Sequence, residues 1–151
     1  MLVWRITRES YQALDGEGAR LNGGRWNSEG VAVVYTSATL ALAALEYLMN
    51  VDPEDVPEDL VAVQIQIPEG LPEERIRPEG LPADWNEVPD HVACTRAGDT
   101  WVRNVSTALL RVPSAIVPEE ENVLINPMHS DAERIAVVRT RAFVFDRRLL
   151  T

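Results

Sequence analysis

The sequence predicts an α+β fold, a single compact domain in which mixed or antiparallel sheets are flanked by helices. Short apolar stretches of strand character are interspersed with helical stretches, without the regular strand–helix alternation of a doubly wound fold. The chain has 151 residues, 46% of them hydrophobic, which suffices for one core. Because no internal repeat or low-complexity tail divides it, we assign residues 1–151 to one domain.

The first 35 residues predict two strands separated by a loop. Leu2–Ile6 has strand composition, and a polar helical turn is expected at 10–14. Residues 16–30 are punctuated by glycine, which predicts a loop or hairpin. The apolar run Val31–Tyr35 that follows predicts a buried strand.

The next segment predicts a helix and then a strand. Ser37 can cap a Leu- and Ala-rich helix that runs to about Asn50. Acidic residues and prolines at 52–59 break the pattern. In 60–67 the apolar side chains alternate with two glutamines, which predicts a half-exposed strand.

The last third predicts one helix and three short strands. Pro68–Pro89 is read as a surface excursion, because it combines five prolines with many acidic residues. Asp99 is expected to start a helix that carries Trp101, Val105 and Leu109 on one face and ends before Pro113. The strands are expected at Ala115–Val117, Val123–Ile125 and Val137–Phe145.

Charge and composition exclude several classes of protein. The net charge is −10, and all 14 basic residues are arginine. The absence of lysine excludes a Walker A phosphate loop and Schiff-base catalysis, and the acidic balance argues against direct nucleic-acid binding. Twelve of the 24 acidic residues lie in 52–90, a stretch that is either a solvated surface or a docking face for a basic partner.

The chain offers little for disulfides, metals or membranes. Cys94 stands alone and is read as a small buried hydrophobe. His91 and His129 are isolated, so we expect no metal site and no bound cofactor, and His129 can equally cap a turn. Gly16 and Gly18 do not begin a dinucleotide fingerprint, because the third glycine position is occupied by leucine. No signal peptide or membrane span is recognised, which predicts a cytoplasmic protein.

Four residues are candidates for a site that binds a phosphate-bearing ligand. Arg25 lies between glycines and Trp26 and could hold a pyrophosphate through its planar guanidinium, although a surface arginine is an equal alternative. Tyr35 is either a half-buried core aromatic or a stacking surface for a planar ring. Ser114 is either a turn residue or a ligand contact. Glu46 is the only charged residue from 36 to 51, and it either faces solvent or points into a cleft as a functional carboxylate.

These residues, in this order, resemble the RES-domain family, which is named for its Arg, Glu and Ser. The resemblance covers essentially the whole chain. It is carried by Gly23-Gly24-Arg25-Trp26-Asn27, Tyr35-Thr36-Ser37, Ala44-Leu45-Glu46, Val112-Pro113-Ser114-Ala115, Asn122 to His129 and Phe145 to Leu149. Ser106 is a rival serine, but it lacks the Pro-Ser-Ala context.

The resemblance implies a fold similar to that of ADP-ribosyltransferase toxins and a role as the toxin of a bacterial toxin–antitoxin pair. The implied partner is an Xre-type helix-turn-helix antitoxin, a toxin homodimer is a further expectation, and the implied substrate is NAD+. On this basis Glu46, Arg25, Tyr35 and Ser114 are the expected catalytic residues. Arg25, Tyr35, Ser114 and Asn126 are the expected contacts to NAD+.

The chemistry of NAD+ fits a single carboxylate. Nicotinamide leaves as a neutral pyridine and needs no proton, whereas ordinary glycosidases need an acid as well as a second carboxylate. We therefore expect hydrolysis or phosphorolysis of the nicotinamide–ribose bond, with Glu46 stabilising the ribosyl cation. The alternatives are transfer of ADP-ribose to a protein and a non-catalytic interaction module. A Ser114–His129 hydrolase is less favoured, because no nucleophile-elbow glycines surround the serine.

Overall fold

The computed structural model describes residues 1–151, and one seven-stranded sheet runs through it. The sheet is mixed: β4 and β5 are parallel, every other neighbouring pair is antiparallel, and the strand order is β4-β5-β6-β2-β1-β3-β7. This architecture confirms the predicted α+β class. The strands are β1 (Leu2–Arg8), β2 (Val34–Ser37), β3 (Leu60–Gln66), β4 (Glu73–Arg75), β5 (Leu109–Pro113), β6 (Glu121–Ile125) and β7 (Ala136–Ala142), and the α-helices are α1 (Glu17–Asn22), α2 (Leu40–Leu48) and α3 (Val92–Asn104).

Apolar side chains cover both faces of the sheet. Successive residues of a strand point to opposite faces, so β6 contributes to two cores. Val123 and Ile125 join the larger core, whereas Leu124 packs with Trp26 and Trp101 in the second. A smaller third core lies under α2 and includes Ala43 and Phe145. No helix is both long enough and apolar enough to cross a membrane.

Helix α2 begins two residues later than the sequence predicts. Its N-cap is Thr39, whose side-chain oxygen accepts a hydrogen bond from the backbone N–H of Leu42 at 3.1 Å. Ser37 is instead the last residue of β2, and its hydroxyl is used in a contact with β6. The helix buries Leu42 and Ala43 and packs on β1 and β2.

The glycine-rich region contains a helix that the sequence analysis missed. Residues 16–30 were predicted as a loop or hairpin, but α1 occupies six of them. This helix is too short for its periodicity to be visible, and Glu17 and Arg20 pair within it at 2.5 Å. The following strand, β2, begins at Val34 rather than at residue 31 and extends through Ser37.

The prediction for β3 was wrong about exposure, although its position was predicted closely. Val61, Ala62 and Val63 are all buried, so both faces of this part of the strand are covered. β3 lies between β1 and β7 and therefore has neighbours on both edges. Only Gln64 and Gln66, near its end, retain the expected polar exposure.

Helix α3 starts well before Asp99. Its N-cap is His91, whose Nδ1 accepts from the N–H of Ala93 at 3.0 Å. Asp99 is buried in mid-helix, where its carboxylate accepts from the backbone N–H and the hydroxyl of Ser28 at 2.9 and 2.5 Å. The sequence predicted Asp99 as a helix start because aspartate is a common N-cap residue. Its actual partner, Ser28, is 71 residues away and could not be seen in the local sequence. Val105 ends the helix, so Leu109 belongs to β5 rather than to the helix face.

Two further strand predictions need correction, and the predicted surface excursion also includes a short strand. Ala115–Val117 forms a turn next to Ser114 rather than a strand. The proline-rich excursion contains the edge strand β4. The last strand ends at Ala142, and the following Phe143 and Phe145 pack edge to face at 4.9 Å.

Candidate active site

A cavity lies where β1 and β2 separate. Only one residue pair, Trp4 with Ser37, joins these two strands, whereas β1 pairs with β3 along seven residues. The cavity holds about 200 Å³ and is covered by α2. Its lining consists of Trp4, Arg5, Ile6, Tyr35, Thr36, Ser37, Ala43, Glu46, Tyr47, Asn50 and Asn122.

The Glu46 carboxylate is held through one of its two oxygens. Its Oε1 accepts a hydrogen bond from the hydroxyl of Ser114 at 2.8 Å and another from Nδ2 of Asn122 at 2.7 Å. No group of the protein donates to Oε2. The side chain is half-buried on the cavity wall, so of the two sequence interpretations the cleft position is the observed one.

All hydrogen-bonding groups of the Ser114 hydroxyl have partners within the protein. Its side chain is fully buried, and its single hydroxyl proton goes to Glu46. The hydroxyl oxygen accepts from the backbone N–H groups of Ile116 and Val117, both at 3.1 Å. A hydroxyl has one proton and two lone pairs, so Ser114 has none left for a ligand.

Tyr35 connects the cavity to the glycine-rich turn. Its side chain lines the cavity, while its hydroxyl accepts from the backbone N–H of Trp26 at 3.0 Å and donates to Oδ1 of Asn27 at 2.6 Å. Burial raises the pKa of this phenol well above its usual value. A Cβ added to Gly24 would lie 2.8 Å from the Tyr35 oxygen, so glycine here permits contact with a side chain of the protein itself.

Arg25 does not line the cavity. Its Nη1 donates to the backbone carbonyls of Trp85 and Glu87 at 2.9 and 3.2 Å, and its Nη2 is 3.3 Å from the carboxylate of Asp90. The guanidinium therefore links the loop before α3 to the glycine-rich turn that carries Arg25. The turn that carries Arg25 reaches the cavity through Trp26 and Asn27, which contact the Tyr35 hydroxyl.

Asn126 is also separate from the cavity. It is fully buried, its Nδ2 donates to the carbonyl of Val102 at 3.1 Å, and its Oδ1 accepts from the N–H of Met128 at 3.0 Å. Nearby, Nδ1 of His129 accepts from the N–H of Asp131 at 3.0 Å. Both side chains thus stabilise the turn after β6. No cluster of three or more His, Cys, Asp or Glu side chains could hold a metal ion.

A second arginine, Arg5, lies in the cavity wall and was not predicted as a site residue from the sequence. It is half-buried, and its one hydrogen bond is a 3.4 Å contact from Nη1 to the carbonyl of Ala13. Burial lowers the pKa of its guanidinium, an effect partly opposed by the charge of Asp15. The available signal was a charged residue between Trp4 and Ile6 in an apolar strand, the same signal that singled out Glu46.

Asn122 and Tyr47 were missed as well. Tyr47 follows Glu46 on α2, lines the cavity and stacks on Phe145 with ring centroids 6.0 Å apart. Asn122 contacts a residue 76 positions away, and no local pattern in the sequence reports such a contact.

Comparison with known proteins decides the family. Residues 2–146 match the model described as the RES domain. The chain belongs to the RES domain family. The motifs in the sequence had predicted this family, and the match confirms it.

Several relatives of this RES domain have names of their own. It is 39% identical to the "Prs ADP-ribosylating toxin" of Sphingobium sp. (strain YBL2), over 97% of this chain and 95% of that protein. It is 37% identical to a "Toxin Res" of Photorhabdus laumondii subsp. laumondii, over 99% of this chain and 97% of that protein. Its fold is similar to a chain in the crystal structure of the M. tuberculosis MbcT–MbcA toxin–antitoxin complex, with a TM-score of 0.77 and 18% identity, covering 94% of this chain and 83% of that one.

Proposed function

We propose that this RES domain is the toxin of a bacterial toxin–antitoxin pair and that it cleaves the nicotinamide–ribose bond of NAD+. Family membership and relatives named as toxins support the first part. The observation that carries the second part is the Glu46 carboxylate, held through Oε1 alone in a cavity that an arginine and two tyrosines also line.

The cavity suits one end of a dinucleotide. Its volume of about 200 Å³ is below the ~300–1,000 Å³ of pockets that enclose a whole drug-sized ligand. Tyr35 and Tyr47 offer aromatic surface to a planar ring. The guanidinium of Arg5 makes only one hydrogen bond within the protein, so it can also bind a phosphate oxygen. Arg25 is the second candidate for the pyrophosphate, and it must release Asp90 to take that role.

The reaction needs one carboxylate and no acid. The C1′–N bond of the nicotinamide ribose breaks, and its electron pair stays on the ring nitrogen, which neutralises the pyridinium. The ribosyl carbon becomes oxocarbenium-like, and Oε2 of Glu46 can stabilise this charge or accept a proton from the 2′-hydroxyl or an attacking water. Hydrolysis consumes one water and yields nicotinamide, ADP-ribose and one proton.

Ser114 serves as a positioning residue in this proposal. Its proton is committed to Oε1 of Glu46, and its oxygen is committed to two backbone N–H groups. It therefore acts on the substrate through Glu46. Asn126 acts at a greater distance still, by stabilising the turn after β6.

The acceptor of the ADP-ribose group has three candidates. Water and inorganic phosphate correspond to hydrolysis and phosphorolysis, which we favour, and a protein side chain corresponds to ADP-ribosylation. The name of the Sphingobium relative favours the last candidate. All three share the same bond cleavage and the same need for Glu46.

One experiment separates the acceptors. The purified chain is incubated with NAD+, with and without inorganic phosphate, and the products are identified by mass. We expect nicotinamide with either ADP-ribose or its 1″-phosphate. A parallel incubation with tagged NAD+ and cell extract should leave protein unlabelled, whereas labelled protein would favour ADP-ribosylation. Unconsumed NAD+ and normal growth on expression would instead favour a non-catalytic interaction module.

The proposed partner is an antitoxin protein. The M. tuberculosis protein of similar fold was crystallised as a toxin–antitoxin complex, which supports a partner of this kind. We propose an Xre-type helix-turn-helix antitoxin that blocks the cavity of this chain in the cytoplasm, and a toxin homodimer within the complex. Co-expression with the antitoxin should restore growth, and the mass of the purified complex gives its stoichiometry.

A further inference from the structure

We propose that Asn122, oriented by Ser37, is a positioning residue that holds Oε1 of Glu46 and leaves Oε2 free for the substrate. The proposal rests on the proposed function, because it assigns Glu46 to the reaction. It gives a role to two residues that lie within the family motifs but that the sequence had not identified as site residues.

The geometry fixes which way the Asn122 amide faces. Ser37 and Asn122 are a directly opposed pair in the β2–β6 ladder, and both are buried. The Ser37 hydroxyl donates to Oδ1 of Asn122 at 2.7 Å, so Nδ2 faces α2 and donates to Glu46 at 2.7 Å. The reverse orientation would set the amide oxygen against a carboxylate oxygen, and neither atom can donate.

The backbone beneath Asn122 is also fixed on both sides. β6 lies between β5 and β2, and Asn122 is paired with Val112 on one side and Ser37 on the other. Ser114, in contrast, lies in the turn that follows β5. Glu46 therefore receives one donor from a central strand and one from a turn.

Few ionisable groups share the cavity with Glu46. Those that line it are Arg5 from β1, Tyr35 from β2 and Tyr47 from α2. The charges of the Arg8–Asp59 ion pair also influence the pKa of Tyr47. The donor from β6 is a neutral amide. Replacing this amide by a carboxylate of the same shape places two acidic oxygens in contact, and such a pair must share a proton.

Asn122→Asp provides the test, and its readout is the pH profile of nicotinamide release. We expect at least a tenfold loss of kcat at pH 7, with the acid limb moved up by about one pH unit or more. Asn104→Asp is the matched control, because it adds the same charge at an exposed position at the end of α3. Equal profiles for the two variants would overturn the proposal.

Ser37 has its own pair of variants. We expect Ser37→Ala to lower kcat about tenfold without moving the acid limb, because the amide loses its orienting partner and keeps its charge. Ser37→Thr retains the hydroxyl and should recover most of that loss. Thermal unfolding of each variant identifies any that is simply unfolded, and equal kcat for the alanine variant and the parent chain would count against the role of Ser37.

A second measurement keeps this proposal separate from the proposed function. If the parent chain releases no nicotinamide from NAD+, the proposed function fails. The positioning role of Asn122 is then tested by ¹³C NMR titration of the glutamate carboxyls. The Glu46 resonance is assigned as the one that is absent from the spectrum of Glu46→Gln. Its titration should move to higher pH in Asn122→Asp and not in Asn104→Asp, and an unmoved resonance would overturn the claim.

Discussion

Replacing Ser114 by alanine should cost both stability and activity, and the structure sets the size of the effect. The hydroxyl makes one charge-assisted hydrogen bond, to Glu46, which is worth ~1.5–3 kcal/mol. It also accepts from two backbone N–H groups, each worth ~0.5–1.5 kcal/mol. The site is fully buried, but a water can occupy part of the vacated space, so we expect a loss of about 3 kcal/mol.

The assay for Ser114→Ala combines thermal unfolding with nicotinamide release. A loss of about 3 kcal/mol corresponds to a fall in Tm of about 6–12 °C for a chain of this size. Ser106→Ala is the matched control, because the Ser106 hydroxyl makes an exposed hydrogen bond to Glu74 and should contribute at most ~1 kcal/mol. If the Tm falls by the same amount in both serine variants, or if Ser114→Ala keeps full turnover, Ser114 does not hold Glu46 in the way proposed.

Three further predictions concern the surroundings of the site. Gly98→Ala should lower the free energy of unfolding by ~2–4 kcal/mol in chemical denaturation, because its Cβ would overlap the Trp26 carbonyl oxygen; a neutral result would contradict the packing of α3. Arg5→Gln should raise the KM for NAD+ at least tenfold with kcat less affected, whereas Arg25→Gln should chiefly lower Tm. The reverse pattern would identify Arg25 rather than Arg5 as the residue that binds the pyrophosphate. The Tyr35 phenol should stay protonated above pH 10 in an absorbance titration, because its pKa is raised in the folded state. Its contribution to stability is therefore complete below about pH 10 and is lost as the pH rises toward the folded pKa.

The sequence predicted the fold class because strand and helix periodicities are local. The end of β3 and the body of α2 lie close to where their patterns placed them. The start of α3 was misplaced because Asp99 looks like a helix cap, while its partner Ser28 is distant in sequence. Contacts of this length leave no local pattern, so they could not be predicted from one sequence.

The candidate site was accessible from the sequence only in part. Glu46 stood out as a lone charge on an apolar helix, and the structure brings it together with Tyr35 and Ser114. Arg25 was chosen because two glycines precede it, yet one of them, Gly24, lies against the Tyr35 hydroxyl of the protein itself. Asn122 lay within a family motif, but its role could not be predicted, because its partner Glu46 on α2 is 76 positions away in the sequence.

Comparing NAD+ binding with turnover in Glu46→Gln tests the role of the Glu46 carboxylate most directly. Glutamine keeps the shape of the side chain but removes its charge, so calorimetry should find NAD+ binding within about threefold of the parent chain, while nicotinamide release falls ~10²–10⁴-fold. Glu58→Gln, at an exposed position, is the control and should keep full turnover. Undiminished nicotinamide release by Glu46→Gln would show that the Glu46 carboxylate takes no part in the reaction.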